Sequence, residues 1–114
     1  MKKINDKEHQ EELKLRVMRV IQDNPQATQR EIAIELGISL GGVNYCIKAL
    51  VETGLVKLSN FAKSNKKMGY SYILTPDGVS EKAKITARFL KRKLNEYELL
   101  KEEIERLKHE VETR

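Results

Sequence analysis

The chain has 114 residues, enough for one small domain with an extension. Only 5% of residues are aromatic and none is Trp, so the core must be aliphatic and modest in size. The net charge of +5 favours a polyanionic partner. A single cysteine excludes an intrachain disulfide and favours a reducing compartment, so we expect a cytoplasmic protein. We expect no secretion leader and no membrane partner, because no apolar run exceeds three residues.

The first element is predicted to be a helix, capped by Asn5 or Asp6 and ending near Asp23, before Asn24-Pro25. Its apolar positions follow the helical period and are Leu13, Val17, Val20 and Ile21.

The next stretch predicts two short helices joined by a tight turn. Thr28 and Glu31 form a capping box at the start of the first of them. Gly37 supplies the left-handed residue that ends this helix, and Ser39 is a good cap for the next one, which Thr53-Gly54 ends. This arrangement is the helix-turn-helix signature, whose second helix enters the major groove of DNA.

Beyond this point the apolar spacing changes to that of strands. The two predicted strands carry Leu55, Val56, Leu58 and Phe61, and then Tyr70, Tyr72, Ile73 and Leu74. The polar segment AKSNKKMG between them has the length of a hairpin tip. Three helices followed by such a hairpin predict a mostly α fold with a small β-hairpin, the winged helix-turn-helix.

A long final helix is predicted to start at Thr75-Pro76, with Thr as the cap and Pro in the first position, and to run to about Glu112. It would be about 55 Å long, too long to pack on so small a domain along its whole length. We therefore divide the chain into a winged helix-turn-helix domain, residues 1–75, and a C-terminal helix for dimerisation, residues 76–114.

A heptad frame fits this helix best beyond Tyr97, where its apolar seam favours a two-stranded coiled coil. Glu96 and Glu103 at g positions would face Lys101 and Lys108 of a second copy if the two helices run parallel. The alternative is one long helix that folds back on its own domain. The predicted dimerisation residues are Phe89, Leu90, Leu94, Tyr97, Leu100, Ile104, Leu107 and Val111. The first three form an apolar patch near the domain, which either covers the winged helix or widens the dimer contact.

The second helix of the helix-turn-helix has a predicted inner side and a predicted outer side. The inner side carries Leu40, Val43, Cys46, Ile47, Leu50 and Val51. Asn can pair with adenine, Tyr can contact a phosphate or a thymine methyl, and Lys can bind a phosphate or guanine. Glycine in the first turn lets a phosphate or base edge approach closely. The candidate DNA-contacting residues here are Gly41, Gly42, Asn44, Tyr45 and Lys48. The alternative is a merely solvated face whose glycines relieve crowding against the preceding helix.

Two further segments are candidates for contact with the DNA backbone. The hairpin tip is basic, because residues 53–76 contain four basic residues and no acidic one, and it could reach phosphates or the minor groove. The alternative for this loop is an ordinary soluble hairpin tip. The candidates are Lys63, Ser64, Asn65, Lys66 and Lys67 in the tip, with Lys57 on the strand leading to it, and Thr28, Gln29 and Arg30 at the preceding helix start.

Residues with catalytic or metal-binding chemistry do not form a recognisable group in the sequence. Cys46 is expected to pack as a small hydrophobe on the inner side of its helix. His9 and His109 are far apart, and no nucleophile–base pair or phosphate-binding loop is present. We expect neither an enzyme nor a bound cofactor or metal.

The run EIAIELGISLGGVNYCIKALVETGLVK, a basic loop and YSYILTPDGVSEKA together resemble MarR-type winged-helix transcription regulators. A narrower resemblance is to the subgroup associated with bacterial exopolysaccharide (EPS) gene clusters. It is carried by the segments GISLGGVNYCIKAL, KKMGYSYILTPDG and RFLKRKLNEYELLK. The resemblance implies dimeric binding to double-stranded promoter DNA. It assigns the recognition role to Ser39, Gly41, Gly42, Asn44, Tyr45 and Lys48 and the wing role to Lys63–Lys67.

This sequence departs from the MarR pattern in two ways. The usual Asp-x-Arg of the wing is replaced by SNKK, so an Arg contact in the minor groove is not expected. The additional helices of the larger MarR dimer domain are missing, so a small-molecule effector is not supported. We therefore expect a homodimeric, sequence-specific regulator, with exopolysaccharide genes as the narrower target. The alternatives are a protein-interaction adaptor and, less favoured, an RNA-binding protein.

Overall fold

The computed structural model describes residues 6–60 and 70–113. Their elements, in chain order, are α1 (Asp6–Asp23), α2 (Gln29–Leu36), α3 (Leu40–Glu52), β1 (Val56–Asn60), β2 (Tyr70–Leu74) and α4 (Pro76–Glu112). Three helices, an antiparallel hairpin and a long last helix confirm the predicted fold class, a winged helix-turn-helix with a C-terminal extension.

Helix α1 supplies the largest share of the aliphatic core. Its buried residues are Leu15, Val17, Met18, Val20 and Ile21. Leu13, which was predicted to lie on the buried face, is only partly buried at its edge. Leu15 and Met18 were not predicted and widen the buried stripe beyond the narrow one that the spacing suggested.

Helices α2 and α3 form the predicted helix-turn-helix and bend by 115° at their junction. The capping box is present, because the Thr28 hydroxyl accepts from the Glu31 N–H and the Glu31 carboxylate accepts from the Thr28 N–H. Gly37 ends α2 in the left-handed conformation, with a φ of 70°. Among the described residues no single helix is long and apolar enough to span a membrane. Only α2 and α3 together, across their bend, meet that length and composition criterion.

Strands β1 and β2 pair in antiparallel register, with Leu58 opposite Tyr72. The hairpin is tied to the loop between α1 and α2, since the Tyr72 N–H donates to the Pro25 carbonyl at 3.0 Å. Phe61, which was predicted to extend the first strand, lies outside the described residues. The anchored base of the hairpin holds its two strands beside the start of α2.

The first turns of α4 belong to the same core as α1 to α3. The cap is the one predicted: the Thr75 hydroxyl accepts from the Gly78 N–H, and Pro76 occupies the first helical position. Ile85 is fully buried. An ion-pair cluster adds a second connection, since the Arg88 guanidinium donates to the Glu11 carboxylate at 2.7 Å and Arg92 lies 3.7 Å from it.

The rest of α4 leaves the domain as one continuous helix. Residues beyond 92 are exposed as far as Thr113, and the longest dimension of the molecule is 69 Å. The alternative in which this helix folds back on its own domain is therefore wrong for this structure. The physical reason is continuity, because between Gly78 and Glu112 there is no Gly or Pro that would break the helix.

Candidate nucleic-acid interface

Helix α3 has one buried face and one exposed face. Val43, Cys46, Ile47 and Leu50 are buried and hold the helix against the core. Leu40 and Val51 were predicted to be on the inner side, but they are 42% and 36% exposed. They lie at the two ends of α3, where the core is too small to cover them.

The exposed face carries the three side chains that were predicted to read DNA. Tyr45 is 76% exposed, and Asn44 and Lys48 are exposed beside it. The first turn of α3 contains no acidic residue, and the Ser39 hydroxyl caps it by accepting from the Gly42 N–H. Such a helix end carries a partial positive charge, which suits a phosphate or a polar base edge. Contact of these residues with DNA stays a prediction.

The two glycines of this turn differ in their surroundings. A Cβ added to Gly41 would meet nothing within 4 Å, whereas one added to Gly42 would lie 3.2 Å from the Ser39 Oγ. The crowding against α2 that could have explained both glycines is absent at each position. Gly41 is therefore not required by the packing of the described residues.

The start of α2 lies beside this face. Arg30 and Thr28 are exposed, and Gln29 is half-buried. The hydroxyl oxygen of Thr28 accepts the cap hydrogen bond, so only its hydrogen is left for a phosphate.

Gln29 links this region to both neighbouring elements. The Asn44 Nδ2 donates to its Oε1 at 3.1 Å, and its Nε2 donates to the Tyr72 hydroxyl at 3.1 Å. The prediction treated Gln29 as a separate phosphate contact and Tyr72 only as a strand residue. No local pattern in the sequence predicts this chain of hydrogen bonds, because it joins residues 15 and 43 positions apart.

The basic tip of the hairpin is outside the described residues. This applies to Lys63, Ser64, Asn65, Lys66 and Lys67, whose predicted role stays a prediction. Lys57, on β1, is exposed and pairs with Ile73 across the hairpin.

The predicted dimerisation residues divide into two groups. Phe89 packs partly buried against the core, and the Arg92 and Lys93 cations lie 5.4 and 5.2 Å from its ring centre. It therefore contributes to the contact of α4 with its own domain, one of the two roles predicted for it. The other seven are exposed large apolar residues: Leu90, Leu94, Tyr97, Leu100, Ile104, Leu107 and Val111.

Cys46 packs in the core as predicted. Burial raises the pKa of its thiol to about 11, and the charge of Lys14 offsets this only in part. A thiol with so high a pKa is protonated near neutral pH and is a poor nucleophile. Within the described residues, no three His, Cys, Asp or Glu side chains are grouped as a metal site would require.

Residues 10–57 match the family model described as winged helix-turn-helix DNA-binding. No curated protein sequence matches the chain. The structure is similar to the PcaV transcriptional regulator from Streptomyces coelicolor, solved with its natural ligand, with a TM-score of 0.59 and 15% identity over 69% of this chain and 55% of PcaV.

Two other solved structures are also similar to the structure of this chain. A MarR/EmrR family regulator from Acinetobacter sp. ADP1 has a TM-score of 0.58 and 16% identity, over 90% of this chain and 76% of that one. Streptococcus pneumoniae FabT, solved in complex with DNA, has a TM-score of 0.54 and 20% identity, over 74% of this chain and 57% of its own. The chain thus spans little more than half the length of PcaV and FabT. At these identities the likeness is one of fold.

Proposed function

We propose that this chain is a sequence-specific, DNA-binding transcriptional regulator of MarR type that acts as a homodimer. The observation that carries the proposal is that α3 exposes Asn44, Tyr45 and Lys48 on the side opposite its buried residues Val43, Cys46, Ile47 and Leu50. The match of residues 10–57 to winged helix-turn-helix DNA-binding domains supports it. So does the fold shared with FabT, which was solved with DNA.

In this proposal α3 lies in the major groove with its N-terminal half against the base edges. Asn44 offers an amide oxygen and nitrogen to adenine, and Lys48 binds guanine or a phosphate. Tyr45 contacts a phosphate or a thymine methyl, and the exposed Gly41 lets the backbone of α3 approach the DNA. The cations of the hairpin and of α2, including Arg30, bind flanking phosphates and fix the register.

The exposed apolar stripe of α4 supports a dimer. Seven large apolar side chains along one helix are left uncovered, which a second copy of the helix would bury. A parallel arrangement pairs Glu96 with Lys101 and Glu103 with Lys108 of the second copy. It also brings both recognition helices to the same end, so that they read half-sites about one helical turn apart.

A narrower proposal concerns the genes under control. The segments GISLGGVNYCIKAL and RFLKRKLNEYELLK support exopolysaccharide genes, by sequence resemblance alone. Gel-shift assays with promoters of an exopolysaccharide cluster test it, with an unrelated promoter of equal base composition as the control. Equal retardation of both promoters would rule the narrower proposal out.

Selection of duplexes from a random DNA library by the full-length chain tests the main proposal. We expect enrichment of an inverted repeat and an affinity that falls steeply with salt, because phosphate contacts release counterions. Lys48→Ala should weaken binding to the enriched site. Arg106→Ala removes the same charge from an exposed position outside the seam of α4 and should not. Failure to enrich any duplex at low salt would favour the protein-interaction adaptor instead.

A further inference from the structure

The side chains of Asn44, Gln29 and Tyr72 form a line of hydrogen bonds across three elements. Asn44 on α3 donates to Gln29 on α2, and Gln29 donates to the Tyr72 hydroxyl on β2, both at 3.1 Å. The amide of Gln29 is thus held at both ends, its oxygen as an acceptor and its nitrogen as a donor. Tyr72 is itself anchored, because its backbone N–H bonds to Pro25 and its ring packs against the core.

This line of hydrogen bonds leaves Asn44 with the amide donor and acceptor that base reading needs. One of its two amide N–H groups is used by Gln29, and in the described part of the chain its second N–H and its Oδ1 have no other hydrogen bond. Adenine presents one acceptor and one donor in the major groove, and an asparagine amide matches both with one N–H and its oxygen. The contact to Gln29 therefore orients the amide without using up its reading edge.

We propose that Gln29 is a positioning residue, which sets the orientation of the Asn44 amide for base reading, and that Tyr72 holds Gln29 in place. This inference rests on the proposed DNA-binding function. An unrestrained asparagine on an exposed helix face samples several rotamers, and fixing one of them on binding costs entropy. An amide that is already fixed avoids part of that cost, and exclusion of water by the DNA strengthens the hydrogen bonds that fix it.

The hairpin also becomes part of the reading unit. Because Tyr72 lies on β2 and Asn44 on α3, the line fixes the base of the wing relative to the recognition helix. The competing possibility is that Gln29 or the hydroxyl hydrogen of Tyr72 donates directly to a phosphate. That possibility predicts a uniform loss over all DNA sequences, whereas positioning of Asn44 predicts a loss confined to one base pair.

The test uses the full chain and a duplex that the wild type selects, together with a duplex changed at the base pair where Asn44→Ala loses discrimination. Gln29→Ala should weaken binding to the selected duplex about tenfold, equivalent to about 1.4 kcal/mol. Tyr72→Phe, which keeps the partly buried ring, should weaken it about threefold, the low end for one hydrogen bond. Neither variant should affect the changed duplex or the salt dependence, and neither should add to the loss in an Asn44→Ala background.

Several results would overturn the inference. The first is an equal loss of affinity on both duplexes, and the second is an additive loss of affinity in the double variants. The third is a salt dependence of binding that is smaller by about one phosphate contact. The fourth is that no base pair depends on Asn44. If the wild type selects a site and one of the first three results is found, only the positioning role fails. If it selects a site but no base pair depends on Asn44, the base-reading role of Asn44 fails as well. If the wild type selects no duplex, the proposed function fails together with it.

Discussion

The backbone carbonyl of Leu55 lies against the Cα of Gly78, in the space that a Cβ at position 78 would occupy. The same carbonyl accepts from the Thr75 N–H at 3.0 Å, and the Thr75 hydroxyl donates to the Gly54 carbonyl at 2.6 Å. The start of the hairpin and the start of α4 are therefore joined backbone to backbone. This contact fixes the long helix to the winged helix, and it gives Gly78, within the segment YSYILTPDGVSEKA, a packing role that the sequence did not predict.

Gly78→Ala should destabilise the fold, because the added methyl group meets backbone atoms that cannot rotate away. We expect a loss of about 1–3 kcal/mol in the free energy of unfolding, as for other overpacked sites. Chemical denaturation of both proteins at one fixed chain concentration measures it, since dimerisation would make stability depend on concentration. An unchanged unfolding midpoint would mean that the contact between Leu55 and Gly78 is not maintained in solution.

Gly41→Ala is the matched comparison, with the opposite expectation for stability. A Cβ there meets nothing within 4 Å, so stability should be unchanged or rise by up to about 1 kcal/mol, because alanine favours helix over glycine. Binding to the selected duplex should nevertheless weaken, because the methyl group would project between α3 and the DNA. If affinity is unaltered while stability rises, the backbone of α3 does not approach the DNA at this position.

Leu100→Lys should convert a dimer into a monomer, because position 100 is a d position of the proposed seam. Leu99→Lys is the control. The two side chains are 53% and 55% exposed in the single chain, but position 99 is a c position, outside the seam. Sedimentation equilibrium of both variants separates the heptad assignment from a general effect of adding charge to an apolar helix. Dissociation by both variants, or by neither, would contradict the assignment.

Glu11 links stability to pH. Its hydrogen bond to Arg88 is the main cause that holds its carboxyl pKa below the ordinary value of 4.5, with the charges of Arg88 and Arg92 acting in the same direction. A folded-state pKa below the unfolded one gives stability that is present above pH 4.5 and is lost as the pH falls through the folded value.

The variant Glu11→Gln should therefore be less stable than the wild type at neutral pH, and the difference should shrink below pH 4.5. Glu12→Gln removes the same charge at a position that has no ion pair in the described ranges. Its stability should differ less from that of the wild type. Thermal unfolding between about pH 3 and pH 7, a range that includes the ordinary carboxyl pKa, measures the stability of both variants. A difference for Glu11→Gln that does not depend on pH would exclude the ion pair as its cause.

Local signals in the sequence predicted most of this fold. The capping box at Thr28 and the left-handed Gly37 depend only on residues close to them in the sequence. The helix boundaries that they set were therefore predictable. The long-range contacts were not. The hydrogen bond from Gln29 to Tyr72 and the ion pair between Glu11 and Arg88 join residues 43 and 77 positions apart. The packing of Phe89 on the core could not be decided for the same reason, because its heptad position does not show whether its own domain lies close enough to cover it.

The central claim is that the exposed face of α3 reads DNA, and base discrimination by Asn44 tests it most directly. Fluorescence anisotropy would compare wild type, Asn44→Ala and Asn95→Ala on the selected duplex and on duplexes with single base-pair changes. The account predicts that Asn44→Ala loses about 1–3 kcal/mol of discrimination at one adenine position. Asn95→Ala, the same change at an exposed position of α4 outside the seam, should bind like the wild type. Full retention of discrimination by Asn44→Ala would contradict the account.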